Sequence, residues 1–137
     1  MKSKTIYHIV TLEELKKQTT EKHYKPVNFD IDGFIHCTAG KETSLLVLAD
    51  YFAEASKKKV ILILEIDEKK LKPEVRYEPP APVPGGGTSH LKEQLLFPHI
   101  YGSVNTDAII GVGRVERIDN TFHWPLRFDA LSNYLEK

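Results

Sequence analysis

The segment VILILEID, Val60 to Asp67, narrows the choice of fold more than any other part of the chain. Its first five residues are all apolar, far short of the about 20 that a bilayer-spanning helix needs. As a strand, it would point alternate side chains to opposite faces. An unbroken apolar run then means burial on both faces, so the segment reads as a strand inside the core.

Other elements follow from local pattern. Thr5 to Val10 is rich in β-branched and aromatic residues and reads as a strand. The next four residues, TLEE from Thr11 to Glu14, fit a capping box, which predicts a helix from Leu12 to about Gln18. Glu21 to Phe29 reads as a loop with a short extended piece, and Gly33 to Cys37 as a second strand. From Lys41 to Ser56, the residues Leu45, Leu48, Ala49, Phe52 and Ala55 recur on one helical face. The lysines at 57–59 would then meet the exposed carbonyls at the end of that helix.

Val75 to Glu78 and Phe97 to Tyr101 are further short strands. Ala108 to Ile118 is a strand whose Gly111 and Gly113 mark a bulge or a close backbone approach. Phe122 to Trp124 closes a hairpin across Asp119-Asn120. Between the strands, residues 79–94 hold the run PPAPVPGGGTSH, which reads as a long loop, either a lid or disorder. Many short strands with two helices give an α+β class in one domain covering residues 1–137.

Charge removes some functions from consideration. Lys+Arg and Asp+Glu number 19 each, so the net charge is zero and offers no general attraction to nucleic acid. Cys37 is the only cysteine and cannot form an internal disulfide. The first residues lack the apolar core of a secretion signal, and no membrane partner is expected. The chain is read as cytoplasmic; its oligomeric state is left open.

Three histidines stand in apolar strand-like runs: His8 in IYHI, His36 in GFIHCT and His99 in PHIY. Alternation puts His8 with Ile6 and Val10, His36 with Phe34 and Thr38, and His99 with Tyr101. Taken singly, each histidine is more often structural, bonded to a backbone carbonyl. Together they point to a site, because every buried ring nitrogen needs a partner. Glu78 ends a strand, with Arg76 on the same face. Tyr77, Tyr101 and Trp124 are candidates to stack on a flat ligand. No HxxxH or CxxC spacing favours a metal, so none is expected. Cys37 and His36 point to opposite faces and cannot pair as nucleophile and base; Cys37 reads as a small core residue.

In order, IYHI, GFIHCT, ADYF, LILEID, VRYE and FPHIYG resemble the small bacterial family of domains of unknown function numbered 952. That family has no established activity. The resemblance implies a fold similar to that of ADP-ribosyltransferases and RNA 2′-phosphotransferases: two short, bent, mostly antiparallel sheets with flanking helices, forming a cleft for NAD. It implies that His8 meets the ribose on the nicotinamide side and that Ile9 offers backbone groups to the amide. His36 and Thr38 would line the same cleft, with His99 and Tyr101 beside them. Many relatives carry glycine where Ile9 stands. The catalytic glutamate of the toxin-type enzymes has no clear counterpart, and Glu78 stands at a different motif position. The first reading that the resemblance implies is an NAD-dependent ADP-ribosyl- or RNA 2′-phosphotransferase-like enzyme or a degenerate relative that keeps binding without catalysis, with His8, His36, His99 and Glu78 as the expected catalytic set, NAD as cofactor and a small nucleotide as ligand. A module that binds a nucleotide or nucleic-acid end without turnover is the second reading, and a histidine-ligated metal enzyme the third.

Overall fold

The computed structural model describes residues 4–52, 58–79 and 96–135. In chain order its strands and helices are β1 (Thr5–Thr11), α1 (Leu12–Gln18), β2 (His23–Tyr24), α2 (Phe29–Asp32), β3 (Ile35–His36), α3 (Lys41–Tyr51), β4 (Ile61–Asp67), β5 (Glu74–Glu78), β6 (Phe97–Tyr101), β7 (Val104–Asn105), β8 (Ile109–Arg114), β9 (Glu116–Ile118), β10 (Thr121–His123), β11 (Phe128–Asp129) and α4 (Ser132–Leu135).

The run at Val60 to Asp67 becomes β4, inside a four-stranded antiparallel sheet of order β1-β4-β8-β11. Leu62, Leu64 and Ile66 enter one apolar core with Ile6, Val10, Ile35 and Ile100. Ile61 and Ile63 enter a second core with Leu48 of α3 and Val115. Burial on both faces is therefore observed, and it explains why the run does not alternate.

β3-β6-β5 form a three-stranded sheet, β2-β7 a two-stranded one, and β9-β10 a hairpin. Where the resemblance implies two sheets, the described strands make four, all antiparallel. The three-stranded and main sheets meet at one bridge, where Tyr7 and Thr38 exchange two backbone hydrogen bonds of 2.8 Å. The chain thus leaves one sheet at His36 and joins the edge of the other two residues later.

The capping box is half formed. Thr11 Oγ1 accepts from the Glu14 amide at 3.2 Å, while the Glu14 carboxylate accepts from the Val27 amide instead of reaching back. In the Glu21 to Phe29 segment, the short extended piece is β2, and the chain leads into α2, a single turn closed by Gly33 at φ 82°. α3 is observed over Lys41–Tyr51. Leu48 is fully buried and Leu45 and Phe52 pack beside it, but Ala49 faces solvent. Ala55 and Lys57 lie outside the described residues, as does the predicted loop from residue 80 onward.

The predicted Ala108–Ile118 strand divides into β8 and β9, and the β4–β8 register shifts between Glu65 and Ile66. Asp119 (φ 52°) and Asn120 (φ 63°) both adopt the left-handed turn conformation that matches strand twist in a tight hairpin. Among the described residues, no helix is long and apolar enough to cross a membrane.

Candidate functional site

Register brings the site together. In the three-stranded sheet, Ile100 of β6 pairs with Ile35 on one side and Val75 on the other, and the two isoleucines are fully buried. One residue along, alternation turns the opposite face outward, and His36, His99 and Arg76 form a row across β3, β6 and β5. The rings of His36 and His99 are 5.7 Å apart and nearly perpendicular.

Each imidazole is held by a carboxylate. His99 Nδ1 donates to Glu78 Oε1 at 2.8 Å, and the Tyr101 hydroxyl donates to the same oxygen at 2.5 Å. His36 Nε2 donates to Asp32 Oδ2 at 3.0 Å. Tyr101 extends along the sheet beneath the Arg76 guanidinium, whose carbon lies 4.4 Å from the ring centre. Arg76 also donates to Glu74 at 3.0 Å. Phe34 stacks on His99 at 4.0 Å and 21°. His99 is buried, whereas the His36 side chain keeps 45% of its surface.

These contacts set the charges. Burial is the largest influence on His99 and lowers its pKa, against the opposing pull of Glu78. Hydrogen bonds from Tyr101 and then His99 hold the Glu78 carboxyl below its usual range. The same bond to Glu78 raises the Tyr101 phenol. A neutral His99 that donates through Nδ1 leaves its Nε2 lone pair as a base.

The remaining expected residues lie elsewhere. His8 shares its face with Ile6 and Val10, as alternation predicts, but that face is the core. Its Nδ1 donates to the His36 carbonyl at 2.7 Å, which leaves Nε2 to accept from the Tyr24 hydroxyl at 2.8 Å. Burial is the main cause that takes its pKa down to about 4. Both ring nitrogens are thus committed within the protein.

Ile9 faces the opposite way and packs on the second core. Thr38 does not share a lining with His36, because β3 ends there. Its hydroxyl instead meets Ser44 Oγ at 2.5 Å, and Ser44 donates to the Gly40 carbonyl in the first turn of α3. Tyr77 bonds Glu68 on the other side of β5, and Trp124 packs edge-on to Tyr7. Cys37 is buried, and burial raises its thiol pKa, which opposes a thiolate. Among the described residues, no group of three or more His, Cys, Asp or Glu is placed to hold a metal ion.

Sequence reading missed Asp32, Phe34 as a cover, and Tyr24. The spacing of Asp32 and His36 carried a signal only if the intervening turn had been foreseen.

The molecule is thus a mixed α/β protein of small antiparallel sheets, with a histidine–carboxylate row on one of them. The chain belongs to the DUF952 family, described as a protein of unknown function, whose profile matches residues 9–112. In fold it is similar to the crystal structure of protein CC0527 from Caulobacter crescentus, with a TM-score of 0.67 and 18% identity over 96% of this chain and 97% of that one. A double mutant of the same protein is similar at a TM-score of 0.66 and 17% identity, with the same coverage. At such identities the likeness shows the fold alone. None of the curated proteins matches the chain.

Proposed function

We propose that the Asp32–His36 and Glu78–His99 pairs form an acid–base site for a small nucleotide-type ligand. The observation that carries this reading is the placement of two imidazoles side by side on register-paired strands, each bonded to a carboxylate. His99 acts as the base through Nε2, since Nδ1 is committed to Glu78 and burial favours the neutral ring. His36, at the exposed end of the row, is the proton donor, and Asp32 fixes its orientation. Arg76 supplies positive charge for an anionic group on the ligand. Phe34 follows Gly33, whose φ of 82° suits a hinge, and the ligand reaches His99 by lifting that ring.

NAD is the ligand that the family resemblance offers. Its fit is poor at His8, Ile9 and Thr38, which are engaged in the core or at the start of α3. We therefore derive no step through NAD. The nucleotide reading rests on His36, Glu78, Tyr101 and Arg76.

Proton NMR of the imidazole signals tests the proposal. Titration with NAD, ADP-ribose and AMP to millimolar levels is expected to move the His36 and His99 resonances with at least one of the three, while His8 stays still. In Glu78→Gln that response is expected to weaken, because His99 loses its carboxylate. Silence of both signals with all three nucleotides would remove the proposal. Binding without turnover of any of the three would support the binding module over the enzyme.

A further inference from the structure

On the face of the main sheet opposite His8, one row carries Tyr7, Glu65 and Gly111, paired across β1, β4 and β8. The next row on the same face, Ile9, Ile63 and Gly113, lies in the cluster with Leu48 of α3, and Tyr7, Trp124 and Phe128 pack against the edge of that cluster. Around the first row stand Trp124 and Phe128. The Trp124 ring meets Tyr7 at 5.1 Å and 84°, so the two make walls at a right angle. Phe128 lies 5.8 Å from Trp124 at 52°. A methyl group on Gly111 would collide with the Glu65 carboxylate and lie 3.1 Å from Phe128 Cβ, while the Phe128 ring continues over Gly113, the next residue of β8 on that face. Tyr7, Glu65, Trp124 and Phe128 are each half-buried, so each keeps an open edge.

Glu65 is unusual in this setting. Among the described residues it has no cation within salt-bridge distance, and partial burial raises its pKa. A carboxylate half out of water, set among aromatic faces, favours a cation that is itself weakly hydrated. Metal ions and primary ammonium groups hold their water strongly. An alkylated ammonium has an apolar shell around a diffuse charge, and aromatic faces attract it through their quadrupoles.

We propose that Tyr7, Trp124 and Phe128, with Glu65 at their base, form a binding site for an alkylammonium group. Free choline and the cap of a methylated lysine in a protein share this head-group chemistry. This inference is independent of the acid–base reading.

The chain has one tryptophan, and it stands in this site, so its fluorescence reports here alone. The full chain is titrated with tetramethylammonium, with choline, and with 3,3-dimethylbutan-1-ol, the neutral isostere of choline. Saturable quenching by the two cations, at least about tenfold weaker with the neutral alcohol, is expected, since 1.4 kcal/mol of charge preference suffices for that ratio. Glu65→Gln is expected to remove the difference between choline and the alcohol. A short trimethyl-lysine peptide and its unmethylated twin separate the two sources of the group. Equal response to choline and the alcohol, or no saturable response to either cation, would overturn the proposal. Should Glu65→Gln fail to fold, NMR of the wild-type Trp124 indole N–H during the same titrations decides it.

Discussion

His8→Ala is expected to cost about 3–5 kcal/mol of folding stability, enough to remove a large share of the stability of a small protein. The size follows from three losses at one point. The imidazole leaves a void among Ile6, Val10, Leu64 and their neighbours. The Tyr24 hydroxyl, fully buried, loses its acceptor, and the His36 carbonyl loses its side-chain donor. An orphaned buried polar group costs about 1–3 kcal/mol, and the Tyr24 hydroxyl becomes one, while the partly buried His36 carbonyl adds a smaller loss. Urea unfolding at neutral pH measures the change; a loss below about 1 kcal/mol would mean that the ring does not bridge these groups.

The same residue predicts a pH dependence. Its folded pKa, about 4, lies below the ordinary value of 6.5. Between those values the unfolded chain binds a proton that the folded one refuses. Stability therefore falls as pH drops from 6.5 toward 4, by about 3 kcal/mol from this group. His8→Gln cannot titrate, so its stability deficit against wild type should shrink by that amount across the window. A constant deficit would place the burial elsewhere.

His8 also marks the boundary of what the sequence could tell. Alternation in IYHIV put it correctly beside Ile6 and Val10. Nothing local distinguished a core face from a cleft wall, because both are apolar. Its partners are 16 and 28 residues away, and only the packing of β2 and the crossing at His36 bring them close. The His36–His99–Glu78 cluster was half legible. The strands of Val75–Glu78 and Phe97–Tyr101 could be read, and an antiparallel pairing of them puts Glu78 near His99. Asp32 could not be read, because the turn that presents it spans only four residues and ends on a left-handed glycine. Thr38 was misplaced for a related reason: period-two reasoning carries a side chain along a strand only while the strand lasts, and β3 lasts two residues. Glu65 was hidden in the strongest strand of all, where it reads as a blemish in an apolar run. Its meaning depends on Tyr7 and Gly111, its neighbours across the sheet.

Gly113→Val is expected to destabilise by about 3 kcal/mol, the upper part of the range for overpacking. The reason is distinct from glycine's backbone freedom, since Gly113 lies in β8 between Ile63 and Phe128. A Cβ there would sit 2.6 Å from Pro125 Cβ, 2.8 Å from Pro125 Cγ and 2.9 Å from Phe128 Cε2. A proline ring and a phenyl ring flanked by sheet cannot yield as the tip of a long side chain can. Relief requires residues 125–129 to lift, which breaks the β8–β11 pairing and draws Trp124 from Tyr7. Loss of stability should thus come with a red shift of the lone tryptophan's emission. Adding Pro125→Gly to Gly113→Val should recover part of the loss, since the two side chains contend for one space and their effects are then non-additive. Unchanged stability and emission in Gly113→Val would mean that Pro125 and Phe128 do not rest on the sheet. The aromatic walls around Glu65, which depend on the same close approach, would then have no support.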